Sequence, residues 1–518
     1  VGEAEPNVVG WIARHAASRG DQRAIADQDR TLSYRDLRER ISRCAAVLAG
    51  EGLSRGDRVA LALGNRSAYL EVVFGAAQLG AIAVPINARL TAWEIRRMFD
   101  DCTPRVLVYD ALHSEVALGA CEGAVQPPST RICCGGAPDA YEAALAAAAP
   151  RETIEPVSPD DPMILMYTSG TTGIPKGALL PHRKTLYNSL NAERFFGLTP
   201  EDRILVMLPL FHSFGLAILS IPALHVGAAI TVHARFDPEA VWETVGRERT
   251  SFFGGVPTMF QRLLDVLDRA PAGRYDLSSL RFLFTAGAAI PVEVIRGFER
   301  HGLVLKQGYG QTETSILCCL DAGDALRKAG SVGQPVHHAE LRVARLSSLE
   351  GPPEAWEDVD VGERGEIVVR GPITMLGYWQ RPAETAATLR GDWLRTGDLA
   401  TVDGEGFVTL VGRVCDMYIS GGENVYPAEI EVVYEEHPAI REIAVVGVPD
   451  SHWGESGRAF VVLEDGEPFD GEALRAWGRE RLARFKLPRE FVAVDALPRT
   501  ETGKVQKHRL TEAGDAPR

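Results

Sequence analysis

Ten residues in the first half of the chain, Thr168-Ser169-Gly170-Thr171-Thr172-Gly173-Ile174-Pro175-Lys176-Gly177, hold three glycines, four hydroxyl side chains and one lysine. Backbone N–H groups, hydroxyl donors and an ammonium in one flexible loop suit an anion with many acceptor oxygens, and polyphosphate is the obvious candidate. The loop is not of the Walker type, because Gly177 stands where that pattern needs Ser or Thr for magnesium. The chain uses seven lysines against 48 arginines. A lysine in a motif therefore asks for a compact ammonium, and two fit: Lys176 and Lys504, the latter in Pro498-Arg499-Thr500-Glu501-Thr502-Gly503-Lys504-Val505. His212 lies in Pro209-Leu210-Phe211-His212-Ser213-Phe214-Gly215, just after an apolar run. Gly308-Tyr309-Gly310-Gln311-Thr312-Glu313 sets a carboxylate three residues after a glycine, and Thr396-Gly397-Asp398 sets one directly after a glycine. Singly, each stretch also reads as a surface turn, a structural histidine or a solvated lysine.

Together, and in this order, the stretches resemble the adenylate-forming superfamily: acyl- and aryl-CoA synthetases, peptide-synthetase adenylation domains and firefly-type luciferases. The resemblance implies roles. Thr168, Ser169, Gly170, Thr171, Thr172, Gly173 and Lys176 would hold the phosphates of ATP. Gly287 and Ala288 would flank adenine, where small residues let the ring approach the backbone. Gly308, Tyr309 and Gly310 continue that site, with Tyr309 flat against adenine, Thr312 on phosphate and Glu313 holding Mg2+ through oxygen. Asp398 and Arg413 would meet the ribose. Lys504 would bridge the attacking carboxylate and the α-phosphate, making Lys504, Lys176, His212 and Glu313 the catalytic set. His212, Phe211, Gly287, Gly310 and Leu317 would line the acid pocket. Amino-acid-activating members carry aspartate where His212 stands, so an amino acid substrate is disfavoured. Gly421, Gly422 and Glu423 resemble the loop bordering the pantetheine tunnel, with Trp453 and Phe485 near the CoA nucleotide. Relatives usually place Lys or Asp two residues after the family arginine; here Arg413 is followed by Val414 and Cys415, and Cys415 is the expected hinge.

These residues need elements to position them. Ser33-Tyr34-Arg35-Asp36 is a capping box, followed by Leu37, Ile41, Cys44 and Leu48 on one helical face. Short apolar runs at 59–63, 81–85, 105–109, 203–210, 228–233, 250–254, 281–285 and 303–307 read as buried strands alternating with helices, the signature of largely parallel sheets. The apolar run after Lys176, closed by Pro181, reads as a strand rather than an opening helix. Segments 366–370 and 406–411 lack long helices between them, which predicts antiparallel pairing. Residues 119–150 are Ala-rich and uninformative, and so taken as peripheral. Beyond Gly412, a helix near 428–436, strands near 443–448 and 460–463, a helix near 471–485 and a strand near 491–494 predict a small α+β unit.

Composition excludes several classes. A net charge of −15 leaves no overall basic footprint for nucleic acid. Eight cysteines without a CxxC pattern argue against a disulfide framework or zinc site and for a reducing, cytoplasmic setting. Residues 1–11 carry two glutamates and no basic leader. Residues 214–232 lack charge but contain Pro222, and read as a buried helix plus strand, not a membrane span. The expected architecture is α/β: a large N-terminal part with several subdomains at 1–412, including a smaller antiparallel β region, a hinge at 413–416 and an α+β lid at 417–518. The expected function is ATP- and Mg2+-dependent activation of an apolar fatty or aromatic acid through an acyl-adenylate, then transfer to CoA, with the oligomeric state open and a homodimer one option. The alternatives are loading of an aryl or acyl acid onto a carrier protein, luciferase-like oxygenation, and a non-catalytic binding protein, which the intact Lys176, Glu313, Asp398 and Lys504 disfavour.

Overall fold

The computed structural model describes residues 7–168, 176–287, 290–420, 423–425, 427–450, 453–482, 484–500 and 503–513. It divides into two compact units, Val1–Glu340 with Val369–Leu394, and Leu341–Val368 with Arg395–Arg518.

In the first unit the capping box forms as the sequence predicts. Ser33 Oγ accepts from the Asp36 N–H, the Asp36 carboxylate accepts from the Ser33 N–H, and helix Tyr34–Gly50 buries Leu37, Ile41, Cys44 and Leu48. A nine-stranded sheet runs in spatial order Gln334–Pro335, Ser315–Leu320, Leu305–Gln311, Phe282–Thr285, Phe252–Gly255, Arg203–Val206, Ala229–Val232, Arg23–Ala26, Thr31–Ser33. Its interior pairs are parallel and its edge pairs antiparallel. A seven-stranded sheet follows the order Gly377–Tyr378, Lys176–Pro181, Pro162–Thr168, Ile82–Pro85, Arg58–Ala62, Val106–Asp110, Thr130–Cys134.

The strand order of the larger sheet matters for function. From Arg203–Val206 the chain passes to Ala229–Val232 on one side, whereas Phe252–Gly255 returns to the other side and leads on to Phe282–Thr285 and Leu305–Gln311. Connections leaving two adjacent parallel strands in opposite directions open a crevice at the strands' carboxyl ends, where ligands of open α/β sheets bind. The segments after these strands carry His212, Gly287 and the Gly308–Glu313 stretch.

Residues 214–232 fold as a π-helix (Phe214–Ser220), an α-helix (Ile221–Val226) and a buried strand (Ala229–Val232). Among the described residues no helix is long and apolar enough to cross a membrane. The Ala-rich region is more ordered than its composition suggests. Thr130–Cys134 is an edge strand and Asp139 caps helix Ala140–Ala147. Alanine offers little hydropathy contrast, so its periodicity was invisible.

A five-stranded sheet of Glu340–Ala344, Gly365–Arg370, Trp393–Val402 and Leu389–Arg390, with Val408–Arg413 on Trp393–Val402, supplies the expected antiparallel region. In the second unit, Glu423–Val425, Tyr418–Ser420, Gly454–Leu463, Ile440–Asp450 and Glu490–Ala493 form another sheet, over which Tyr418, Ile430, Tyr434, Val445, Val461 and Leu474 make one core. The helix expected to reach 485 ends at Arg479, where the Arg481 N–H tightens to a 3-10-type bond with the Gly478 carbonyl at 3.0 Å, and a separate 3-10 turn follows at Arg484–Lys486.

Candidate functional site

The glycine-rich loop hangs from a β-hairpin. Pro162–Thr168 pairs antiparallel with Lys176–Pro181, Thr168 stands opposite Lys176, and Thr168 Oγ1 donates to the Lys176 carbonyl at 3.3 Å. Ser169, Gly170, Thr171, Thr172 and Gly173 lie outside the described residues. The strand after the lysine is zipped to Gly377–Tyr378, with Tyr378 opposite Ala178. This places Lys176 Nζ 5.6 Å from the Tyr378 ring centroid, and Tyr378 Oη donates to Glu313 Oε1 at 2.8 Å. One tyrosine thus ties the lysine expected on phosphate to the carboxylate expected on magnesium. No local motif marks Tyr378; only strand register brings it here.

Glu313 sits at the tip of a tight hairpin. Gln311 stands opposite Ser315, leaving Thr312, Glu313 and Thr314 as the loop. The Gln311 N–H donates to Thr314 Oγ1 at 3.1 Å, and the Met375 N–H donates to the Glu313 carbonyl at 2.8 Å. Gly310 has to be glycine, since a Cβ there would come within 1.9 Å of the Ser315 carbonyl oxygen. Ser315 closes the loop at φ 61°, a left-handed position usually given to glycine and costing an L-residue roughly 1–2 kcal/mol. Its hydroxyl takes a short hydrogen bond from Lys184 Nζ. Lys184 lies on helix His182–Phe196 and is 3% exposed. Burial pushes its pKa down to about 7, against Glu313, which raises it, and with Arg183, which lowers it. One turn on, Asn188 accepts from the Ile316 N–H at 3.3 Å and donates to the Ala217 carbonyl at 2.7 Å, joining the hairpin to the π-helix. Lysine scarcity could have singled out Lys184, but it lies outside any glycine-flanked motif.

On the acid side, His212 and Phe211 are half-buried just before the π-helix, a distortion of the α-helix common at functional sites. Burial lowers the His212 pKa below the usual imidazole range, which favours the neutral ring, and Nδ1 receives a long 3.5 Å contact from the Phe214 N–H. The Phe214 ring meets Phe284 edge-on, with centroids 5.5 Å apart. The bare backbone of Gly254 makes room for Phe214, whose ring a Cβ would approach to 2.9 Å. Gly287 follows Thr285 at φ 92°, and Ala288 lies outside the described residues. Leu317 is fully buried in its strand. Tyr309 is 8% exposed, opposite Cys318. Two buried polar atoms, Thr285 Oγ1 and Gln307 Nε2, lack a hydrogen-bond partner among the described residues. They stand opposite each other on adjacent parallel strands, one step before Ala286 and Gly308. Their place directly before Ala286 and Gly308 makes them candidate contacts for a polar ligand. Sequence reading passed over both.

In the second unit, Asp398 is 6% exposed and stands opposite Arg413, with Arg413 Nε 2.8 Å from Asp398 Oδ1. Thr396 Oγ1 accepts from the Asp398 N–H at 3.1 Å and donates to the Ile367 carbonyl at 2.8 Å, while the buried Glu366 carboxylate holds the Gly397 N–H and Arg395. The two residues expected on ribose are therefore neighbours on a rigid sheet. Hydrogen bonds to charged groups contribute about 1.5–3 kcal/mol each. Asp398→Asn is accordingly expected to weaken ATP binding by about 10–100-fold, read by calorimetric titration, with the fold kept because the amide preserves side-chain shape.

Residues Val414–Asp416 form a single 3-10 turn, so the backbone of Cys415 is placed, although its side chain is not described. Lys504 is exposed on a closed turn. The Lys504 N–H donates to Thr500 Oγ1 at 3.1 Å, the Thr500 N–H donates to the Lys504 carbonyl at 2.7 Å, and Gly503 adopts φ 84°. Trp453 is 38% exposed, with the Arg489 guanidinium 5.6 Å from its ring. Gly421 and Gly422 lie outside the described residues, as do the side chains of Glu423 and Phe485.

Among the described residues no group of three or more His, Cys, Asp or Glu could hold a metal alone. Mg2+ brought by a nucleotide would need only one or two protein carboxylates, with phosphate and water filling its shell. Glu313 fits: Oε1 is held by Tyr378, and Oε2 takes no hydrogen bond from the described residues.

The family described as AMP-binding enzyme matches residues 12–379, and the AMP-binding enzyme C-terminal domain matches 429–504. The chain is 40% identical over 499 residues to a feruloyl-CoA synthase of Amycolatopsis sp, covering 96% of this chain and 97% of that protein. It is 39% identical over 507 residues to an indoleacetate–CoA ligase of Aromatoleum aromaticum, covering 96% of each. The crystal structure of ATP-bound MatB from Rhodopseudomonas palustris superposes with a TM-score of 0.88 at 30% identity, covering 98% of this chain and 99% of that one.

Proposed function

The chain belongs to the AMP-binding enzyme family and is an AMP-forming acid–thiol ligase, and from that premise we propose that the acid it activates carries an aryl group. The reaction has two steps. The carboxylate attacks the α-phosphate of ATP, giving acyl-adenylate and pyrophosphate; the CoA thiol then attacks the acyl carbon and AMP leaves. Loading of a carrier protein is not favoured, because the relatives along nearly the whole chain are CoA ligases.

The aryl reading is carried by the relatives matched along nearly the whole chain at 40% and 39% identity. Phe211, half-buried directly before the half-buried His212, offers an incoming aryl ring a partner that an alkyl chain uses less well, because aromatic pairs add about 0.5–1.5 kcal/mol beyond area burial. Two of the relatives are named for aryl-bearing acyl groups, feruloyl and indoleacetate, which supports the same class. His212 then meets the carboxylate end, where a neutral N–H donor orients the anion without neutralising the nucleophile.

Lys176, Thr312 and the loop at 168–173 bind the phosphates, and Glu313 holds Mg2+, which when bound offsets charge on the departing pyrophosphate. Asp398 and Arg413 orient the ribose. Lys504 serves the first step by stabilising charge at the α-phosphate, and the segment at 421–424 replaces it for thioester formation as the lid turns about Cys415. The seven described cysteines are all free, which fits a reducing, cytoplasmic setting.

A pyrophosphate-release screen over arylacrylic, arylacetic, straight-chain fatty and dicarboxylic acids tests the reading. The best aryl acid is expected to exceed the best fatty acid in kcat/KM by about tenfold or more, the scale on which one well-fitted pocket contact discriminates. A straight-chain fatty acid as preferred substrate overturns it.

A further inference from the structure

We propose that Lys184 is a positioning residue for adenylate formation: its buried side-chain nitrogen pins the Ser315 hydroxyl, holds the left-handed turn behind Glu313 and, when protonated, adds positive charge beneath the site of the departing pyrophosphate. The inference rests on the reading of Glu313 as the magnesium carboxylate.

Four observations carry it. An ammonium is costly to bury, yet Lys184 is 3% exposed. Among the described residues no carboxylate oxygen lies within ion-pair distance of it, and its hydrogen-bond partner is the neutral hydroxyl of Ser315. In a chain with seven lysines, a purely structural position on helix His182–Phe196 would be filled more cheaply by an apolar side chain of the same length. Ser315 itself is the second anomaly. It occupies φ 61° without being glycine, so the hydroxyl is kept where the backbone would prefer no side chain. Third, the loop between Gln311 and Ser315 contains Glu313, so displacing Ser315 moves the tip. Fourth, among the described residues Glu313 is the acidic group that acts on the Lys184 charge.

The neighbouring residues complete the brace. Arg183 donates to the carbonyls of Pro372 and Thr374 at 2.7 and 3.2 Å, fixing the segment whose Met375 N–H holds the Glu313 carbonyl. Successive residues at the start of one helix thus grip both sides of the Glu313 turn. Arg183 is ion-paired with Asp160, whereas Lys184 has no carboxylate within ion-pair distance among the described residues, and an uncompensated charge is what an incoming polyphosphate responds to.

Two variants test this. Lys184→Met keeps length and removes charge; Ser315→Gly relieves the backbone and removes the hydroxyl. Both are expected to stay folded, with the thermal midpoint held or raised. Both are expected to lose most of the rise in midpoint that ATP with Mg2+ gives over ATP with EDTA. Acid-dependent pyrophosphate exchange is expected to fall by about tenfold or more, while thioester formation from supplied acyl-adenylate, which needs no pyrophosphate site, stays within about twofold of wild type. A folded Lys184→Met or Ser315→Gly with wild-type exchange and wild-type magnesium-dependent stabilisation overturns the proposal. So does an equal fall in both half-reactions, which would make the residue merely structural. A wild-type enzyme that ATP stabilises no better with Mg2+ than with EDTA overturns the reading of Glu313, and this inference with it.

Discussion

Lys504→Ala is expected to slow adenylate formation by about 10²–10³-fold while leaving thioester formation from supplied acyl-adenylate within about twofold of wild type. The size follows from the task. When carboxylate oxygen and α-phosphate approach, two anionic groups share one transition state, and a single aimed cation is the kind of contribution whose removal costs two to three decades. The selectivity follows from the turn that carries the lysine. Arg499 pairs with Val505 across it, Arg499 Nη1 donates to the Gly503 carbonyl at 2.6 Å, and Arg499 Nη2 sits 2.8 Å from Glu442. None of these contacts uses the lysine side chain, so alanine removes the charge and leaves the turn. Lys504→Arg should restore little, because a planar, broader guanidinium does not replace a point charge. Acetylation should act like alanine by neutralising the ammonium. Pyrophosphate exchange and single-turnover thiolation measure the two steps separately. Equal loss in both removes Lys504 from the assigned role.

Where the sequence was legible, local chemistry was the reason. Ser33 and Asp36 lie three residues apart and cap the same helix they announce, and the run after Lys176 is apolar without helical period, hence a strand. Asp398 and Arg413 could each be picked from their own motif, and sheet register then made them partners. Other parts of the candidate site were illegible for a physical reason. Tyr378 reaches Glu313 from 65 positions away, through pairing with the strand that Lys176 begins. Lys184 meets Ser315 across 131 positions, and Gln307 stands beside Thr285 only because two strands run parallel. No spacing in the chain encodes such meetings; topology does. The excess of arginine over lysine came nearest to revealing Lys184, since it made every lysine worth a question. Glycine-rich surroundings drew attention to two of the seven, and the buried one had none.

Cys415→Pro is expected to abolish one half-reaction, by about tenfold or more, and to spare the other. The residue lies inside the 3-10 turn Val414–Asp416, directly after the strand that carries Arg413. In such a turn φ runs from about −50° to −70°, the range into which the proline ring locks its own residue. Proline therefore suits the turn as it stands and resists any rearrangement that takes Cys415 to another region. The ring also crowds Val414, which favours extended backbone before proline, so some loss of thermal stability is expected on either side of the switch. A hinge needs backbone freedom more than any particular side chain, and the Val-Cys pair after Arg413 dispenses with the charge that relatives usually carry there. Cys415→Ala and Cys415→Asp should accordingly run both half-reactions near wild-type rates, which separates backbone from thiol. Pyrophosphate release and thiolation of supplied adenylate are measured on each variant. Retention of one with loss of the other in the proline variant alone assigns the pivot to Cys415. If that variant performs both at wild-type rates, the chain turns elsewhere, and the proposed boundary at 413–416 moves with it.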